Sequence, residues 1–255
     1  MIAVEHLSKV FKVGKKQQRA ENLKSSEVKA VDDVSFECRP GRVFSLLGPN
    51  GAGKTTTLRI IATILKPTEG RVSVAGHDVL SDPKGVKKSL GFLTGSTGLY
   101  ERLTPDELIT FFGKLYDMPK ALLETRKKEL FDLLDIHPFA NKKIGKLSTG
   151  MKQKVSIVRT MIHDPQVLVF DEPTSGLDVI SSAAIIELIR RNRERGKTII
   201  FSTHIMGEVE LLADDIAIIH EGRIKYLDTF EGFRAQMRSS SLVEEFIRIV
   251  NEKGE

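Results

Sequence analysis

The sequence predicts an α/β fold. Its core is a mostly parallel sheet, with an antiparallel β region in the N-terminal part and an inserted α-helical subdomain. Three observations predict it. A Gly-rich loop stands between a short apolar run and a helix start. A block of helical periodicity follows, and strand–helix alternation then resumes.

Taken in order, Met1 to His6 alternates like a strand, and Val31 to Cys38 reads as another. Arg39-Pro40-Gly41-Arg42 is a turn into the apolar strand Val43 to Leu47. Gly48 to Thr55 reads GPNGAGKT, a complete G-x-x-x-x-G-K-[ST] phosphate-binding loop, and Thr56 onward starts a helix. Lys66 to Gly70 ends that helix, and Arg71 to Ala75 reads as a strand. From Thr104 the character changes. Thr104-Pro105-Asp106-Glu107 combines an N-cap, a first-turn proline and first-turn acids. Leu108, Phe111, Phe112 and Leu115 keep helical spacing, and Leu122 to Leu134 repeats it. The core resumes with strand Val167 to Phe170, helix Ile180 to Arg195 and strand Thr198 to Ser202. Ser241-Leu242-Val243-Glu244 reads as a capping box opening a terminal amphipathic helix. The expected division is residues 1–94 and 147–229 as the core, 95–146 as the helical subdomain and 230–255 as a C-terminal helical tail.

The 255 residues suit one domain with a subdomain, and a hydrophobic content of 40% supports a sizeable core. No apolar run approaches the roughly 18 to 20 residues that span a bilayer. No signal peptide opens the chain, and the single cysteine, Cys38, excludes an internal disulfide. The net charge of +5 is concentrated between Lys12 and Ala30, where six basic and two acidic side chains contribute +4. The rest is nearly neutral, which argues against nucleic acid as a partner. That basic loop reads as a solvated, mobile segment or as a contact for anionic lipid or an acidic partner.

The chemistry starts at the loop. Gly48, Pro49, Asn50, Gly51, Ala52 and Gly53 let the backbone wrap a phosphate, so that successive N–H groups face one anion. Lys54 is placed as a point charge for the terminal phosphates. Thr55 offers a hydroxyl to magnesium, and Thr56 opens the helix whose dipole favours the anion. The core is therefore expected to be a P-loop NTPase. The strand Val167 to Phe170 ends in Asp171 and Glu172, at the ligand edge of a parallel sheet. Asp171 is expected to bind magnesium, directly or through water, and Glu172 to polarise the attacking water. A second apolar strand leads to His204, whose imidazole can hold a γ-phosphate.

With those residues in place, the chain resembles the ABC-type ATPases. Leu147-Ser148-Thr149-Gly150-Met151-Lys152-Gln153 is similar to their signature motif, and Ser175-Gly176-Leu177-Asp178 to their D-loop. His204 resembles their switch histidine, and Phe11 the aromatic that stacks on adenine. The resemblance spans Ile2 to about Thr229. It implies two such subunits facing head to tail, a homodimer, with ATP and magnesium between them. Each ATP then touches Lys54 and its loop in one subunit, and Ser148, Gly150 and Asp178 in the other. It also implies a separate multispanning membrane permease, with the ATPase bound peripherally at the cytoplasmic face of the cell membrane. Leu99, Tyr100 and Leu103 are candidates for that contact, or for ordinary internal packing.

The chain departs from the family pattern. No glutamine occurs between Leu90 and Thr104; Gly95 and Ser96 lie nearest its usual place, with Ser96 or Thr94 as substitute oxygen ligands. Thr149 replaces a glycine and Met151 a glutamine of the signature. The stretch Thr94 to Tyr100 is similar to the ATPase subunits of Nat-type sodium-efflux exporters. The expected function is thus an exporter ATPase, with sodium ions as a candidate cargo. The alternative is a soluble ABC ATPase acting on ribosomes or DNA. Against it stand the single phosphate loop and the short helical insertion.

Overall fold

The structure, a computed structural model, describes residues 1–12, 26–94 and 98–252. Most of the basic segment, Gly95, Ser96 and the last three residues lie outside the described residues. The ends of the basic segment are strand rather than loop. β1 (Ile2–Lys12) runs through Lys12, and β2 (Glu27–Cys38) starts before Ala30.

Two sheets lie in layers. The first is antiparallel, in the order β2-β1-β4-β5, with β4 (Glu69–Val74) and the short β5 (His77–Asp78). The second runs β10-β9-β3-β8-β7-β6. Its strands β3 (Val43–Leu47), β6 (Leu90–Thr94), β7 (Val167–Asp171), β8 (Thr198–Thr203) and β9 (Asp215–His220) are parallel. Only β10 (Arg223–Thr229) returns antiparallel, through the Glu221–Gly222 turn. Both turn residues have positive φ, 49° and 78°, which suits a tight hairpin.

β3, β7 and β8 are buried at every residue. Both faces of the sheet are covered, which is why these strands are continuous apolar runs. Successive side chains of β7 alternate between two cores. Val167 and Val169 join the core under the first sheet, with Leu7, Val31, Leu46 and Ala217. There Phe36 stacks on Phe44 at 4.8 Å, tying the sheets together. Leu168 and Phe170 join the opposite core, which continues into helices α3 (Pro105–Leu115), α4 (Lys120–Leu133) and α5 (Thr149–Met161). The helices before them are α1 (Lys54–Ile61) and α2 (Pro83–Ser89). After them come α6 (Val179–Glu194), α7 (Met206–Leu212), α8 (Phe230–Gln236) and α9 (Leu242–Asn251). β5, α2, β6, α7, β9 and β10 are absent from the sequence reading.

The two expected capping boxes have opposite outcomes. At α3 the box forms: Glu107 N donates to Thr104 Oγ1 at 3.2 Å, and Thr104 N to Glu107 Oε2 at 2.8 Å. At α9 it does not. Ser241 makes no side-chain cap, and Glu244 is exposed. Glu245 does the local work instead, accepting from Arg238 N, Ser239 N and Ser239 Oγ, so the preceding chain folds over the buried carboxylate. The apolar face of α9 packs inward through Leu242, Phe246, Ile249 and Val250. Leu99 and Leu103 also pack against the core, which leaves Tyr100 as the exposed member of that trio.

Candidate active site

The phosphate loop leaves the C-terminal end of β3 and enters α1. Gly51 and Gly53 hold φ of 80° and 107°. At Gly48 a Cβ would lie 2.3 Å from the Ile219 carbonyl oxygen, so the loop's first residue has no room for a side chain. The loop closes on its own lysine. Lys54 Nζ donates to the carbonyls of Gly48 at 2.6 Å and Pro49 at 3.0 Å. Burial lowers the Lys54 pKa, while Glu172 and Asp171 oppose the shift. Residues Pro49 to Thr56, with Ala30 and Glu172, line one cleft.

β7 and β8 deliver the second half. Asp171 and Ser202 are register partners, and this alignment sets the local chemistry. Asp171 Oδ1 accepts from Thr55 Oγ1 at 3.0 Å and from Ser202 Oγ at 2.7 Å. Ser202 Oγ in turn accepts from Glu172 N at 3.1 Å. Glu172 holds φ of 50°, an uncommon conformation for a non-glycine residue. Its Oε1 stands 3.3 Å from His204 Nδ1 and 3.8 Å from Lys54 Nζ. Lys54, Thr55, Asp171, Glu172 and His204 are thus one connected cluster at the strand ends. Thr55 and Asp171 side by side suit a cation that needs few protein oxygens and keeps others from phosphate and water, as magnesium does.

Three further residues hold this cluster and were missed from sequence. Ser202 is one. Glu208 is the second, a buried carboxylate that accepts from Thr174 Oγ1 and from Thr203 Oγ1, so it joins the turn after Glu172 to the turn before His204. Gln153 is the third. Its Nε2 donates to the Pro173 carbonyl at 2.9 Å, tying α5 to the same turn. A carboxylate four residues after His204 and polar residues at strand ends were the available signals.

The remaining predicted residues sit apart. Ser148 caps α5, accepting from Met151 N at 3.3 Å. Asp178 caps α6 through Ser181 N at 2.9 Å. A Cβ on Gly150 would stand 4.0 Å from Asp178 Oδ2, so the signature stretch and Asp178 are neighbours. Among the described residues, no hydrogen bond links Ser148, Gly150 or Asp178 to the phosphate loop. Beside Asp178, Val179 and Ile180 are 86% and 82% exposed, an apolar step with no cover in one subunit. Phe11 lies opposite Val28 in the β1–β2 pair, two residues from the cleft-lining Ala30, under Lys9 Nζ at 5.2 Å.

Known proteins resemble this chain in sequence and in fold. The family model described as ABC transporter matches residues 31–175, and an AAA-domain model matches residues 143–210. The ABC transporter ATP-binding protein NatA of Bacillus subtilis is 43% identical over 86% of this chain and 89% of its own length. The linearmycin resistance ATP-binding protein LnrL of the same organism is 32% identical, over 92% and 76%. A solved ATP-binding subunit of an ABC transporter superposes with a TM-score of 0.84 at 29% identity, covering 98% of this chain and 99% of that one. A dimeric ATP-binding cassette in a post-hydrolysis state with ADP and Pi gives 0.78 at 26% identity, over 90% and 98%.

Proposed function

The chain belongs to the ABC transporter family and is an ATPase, and on that premise we propose that it powers an exporter through a separate multispanning membrane permease. The observation that carries the reading is the cluster of Lys54, Thr55, Asp171, Glu172 and His204 at the ends of β3, β7 and β8. Lys54 exchanges its loop carbonyls for the terminal phosphates of ATP, while the loop amides hold the others. Glu172, fixed by Ser202 and by its turn, accepts a proton from the attacking water. His204 holds the γ-phosphate oxygen beside it. Thr55 and Asp171 would hold magnesium, which neutralises charge on the phosphates when bound.

Ser148, Gly150 and Asp178 complete the site from a second copy. The exposed Val179 and Ile180 beside Asp178 support that assignment. Binding of ATP closes the pair and hydrolysis releases it. Phe11, at the cleft end of the β1–β2 hairpin, stacks on the adenine. No helix among the described residues is long and apolar enough to cross a membrane. The identity with NatA and the stretch around Tyr100 support an exporter of that subgroup, with sodium ions as the cargo to test first.

The test is affinity capture of the tagged chain from detergent-solubilised membranes. A multispanning protein in stoichiometric amount is the expected result. Ribosomal proteins or nucleic acid in its place would overturn the exporter reading in favour of a soluble ATPase.

A further inference from the structure

A pocket of about 610 Å³ lies between α4 and the last turns of α6. Its size suits a small molecule, and it shares no lining residue with the ATP cleft. Leu130, Leu133 and Met161 give it an apolar wall, of which Leu130 and Met161 are buried. Three guanidinium groups also line it: Arg126 of α4, Arg191 of α6, and Arg195 at the C-cap of α6.

The charges of the pocket are not all answered. Arg126 is buried and fixed, with its Nη2 donating to Asp164 Oδ1 at 2.9 Å and its Nη1 standing 3.4 Å from Glu129. Asp132, also on the lining, meets Lys128 at 2.8 Å and His137 at 2.7 Å. Arg191 meets Glu187 at 2.8 Å. Arg195 has no carboxylate within ion-pair distance among the described residues. The dipole of α6 favours basic residues at its C-terminal end. It does not account for their directions. Arg190 and Arg193 bond outside the pocket, to the Leu211 carbonyl at 3.1 Å and to Asp214 at 3.4 Å. Arg191 and Arg195, one turn apart, both line it. Like charges at that spacing repel, and an anion received between them would replace the repulsion with attraction. Asn192 between them is buried, and its Nδ2 donates to the Leu188 carbonyl at 2.8 Å, so its side-chain oxygen is left as an acceptor.

We propose that this pocket binds a small molecule that carries an anionic group on an apolar body. Arg195 and Arg191 take the anion, and Leu130, Leu133 and Met161 take the body. Carboxylates, sulfonates and phosphate monoesters share that chemistry. The bound molecule bridges α4 of the helical subdomain to α6, the helix that Asp178 caps at its other end, so its occupancy is coupled to the ATP site. The inference needs only the ATPase assignment and does not rest on the exporter reading.

The test uses the whole subunit with ADP filling the ATP cleft. The probe is anilinonaphthalene sulfonate, followed by its fluorescence, with the uncharged phenylnaphthylamine as comparison. Saturable binding of the sulfonate is expected, and the uncharged analogue should bind about tenfold more weakly. Arg195→Ala should weaken the sulfonate about tenfold, and Leu133→Trp, which fills the pocket, should abolish its binding. Absence of saturable binding, equal binding of the uncharged analogue, or an affinity unchanged in Arg195→Ala would overturn the site. Exchanging ADP for a non-hydrolysable ATP analogue should shift the sulfonate's affinity about fivefold. Equal affinity with the two nucleotides would overturn the coupling to the ATP site.

Discussion

Two clefts of the subunit each contain a buried cation. In the ATP cleft, Lys54 is surrounded by groups that can respond to a ligand: Glu172, Asp171 through Thr55, and the loop carbonyls. In the groove beside the helical unit, Arg159 is surrounded by aromatic rings. The first cleft holds the reacting groups, and in the function proposed above a second subunit adds Ser148 and Asp178. The second has a charge and apolar walls but no reacting group. The difference separates a cleft that holds reacting groups from a groove that holds none.

Substitutions can break that comparison at either cleft. The largest effect is expected at Glu172. Glu172→Gln keeps the shape and removes the base, so steady-state ATP turnover should fall about 10³-fold while ATP binding persists. Unchanged turnover would show that another group accepts the proton. Lys54→Ala removes the charge that replaces its loop carbonyls with phosphate. It should raise the dissociation constant for ATP roughly 10- to 100-fold, from the usual strength of a charged hydrogen bond, as read by titration calorimetry. Ser202→Ala sharpens the comparison within the first cleft. It removes the hydroxyl between Asp171 and the Glu172 amide, and turnover should fall roughly 5- to 10-fold with little change in stability at neutral pH.

The second cleft offers a smaller, pH-dependent effect. His163 lines it, stacked on Tyr116 at 3.8 Å, with both ring nitrogens buried. Burial holds its pKa down to about 4, against 6.5 for an ordinary histidine; the Leu90 backbone and Asp164 oppose that shift, and Lys197 and Arg126 add to it. The unfolded chain therefore binds a proton that the folded chain refuses between those two values. Stability is full above pH 6.5 and falls as the pH drops toward 4. His163→Phe should remove about 2 kcal/mol of the stability lost between pH 7 and pH 5, as measured by denaturant unfolding at both pH values. An unchanged acid limb would assign that loss to other groups.

Much of the first cleft was legible in the sequence because its parts are local. The phosphate loop carries its own strand and helix context, and Asp171 and Glu172 end an apolar run. Ser202 was not legible, since its role depends on the register between β7 and β8, which pairs residues 31 apart. β9 was missed for a related reason: a short apolar strand between an acid and a histidine becomes a central strand only beside β3. The capping box at Ser241 did not form: Ser241 makes no side-chain cap and Glu244 stays exposed, while Glu245, one position later, holds the chain ahead of the helix. The groove around Arg159 was the least legible. It brings together residues from the turn after α1 and from α2, β6, α3 and α5, and no short stretch announces it.

The central claim is that the site is shared between two copies, with ATP holding them together. Its most direct measurement is the molar mass of the Glu172→Gln subunit by light scattering, with and without ATP and magnesium. The account predicts a monomer without nucleotide and a dimer with it, and a return to monomer when Ser148→Arg is added to block the signature loop. A mass that stays monomeric with ATP bound, or a dimer indifferent to Ser148→Arg, would contradict it.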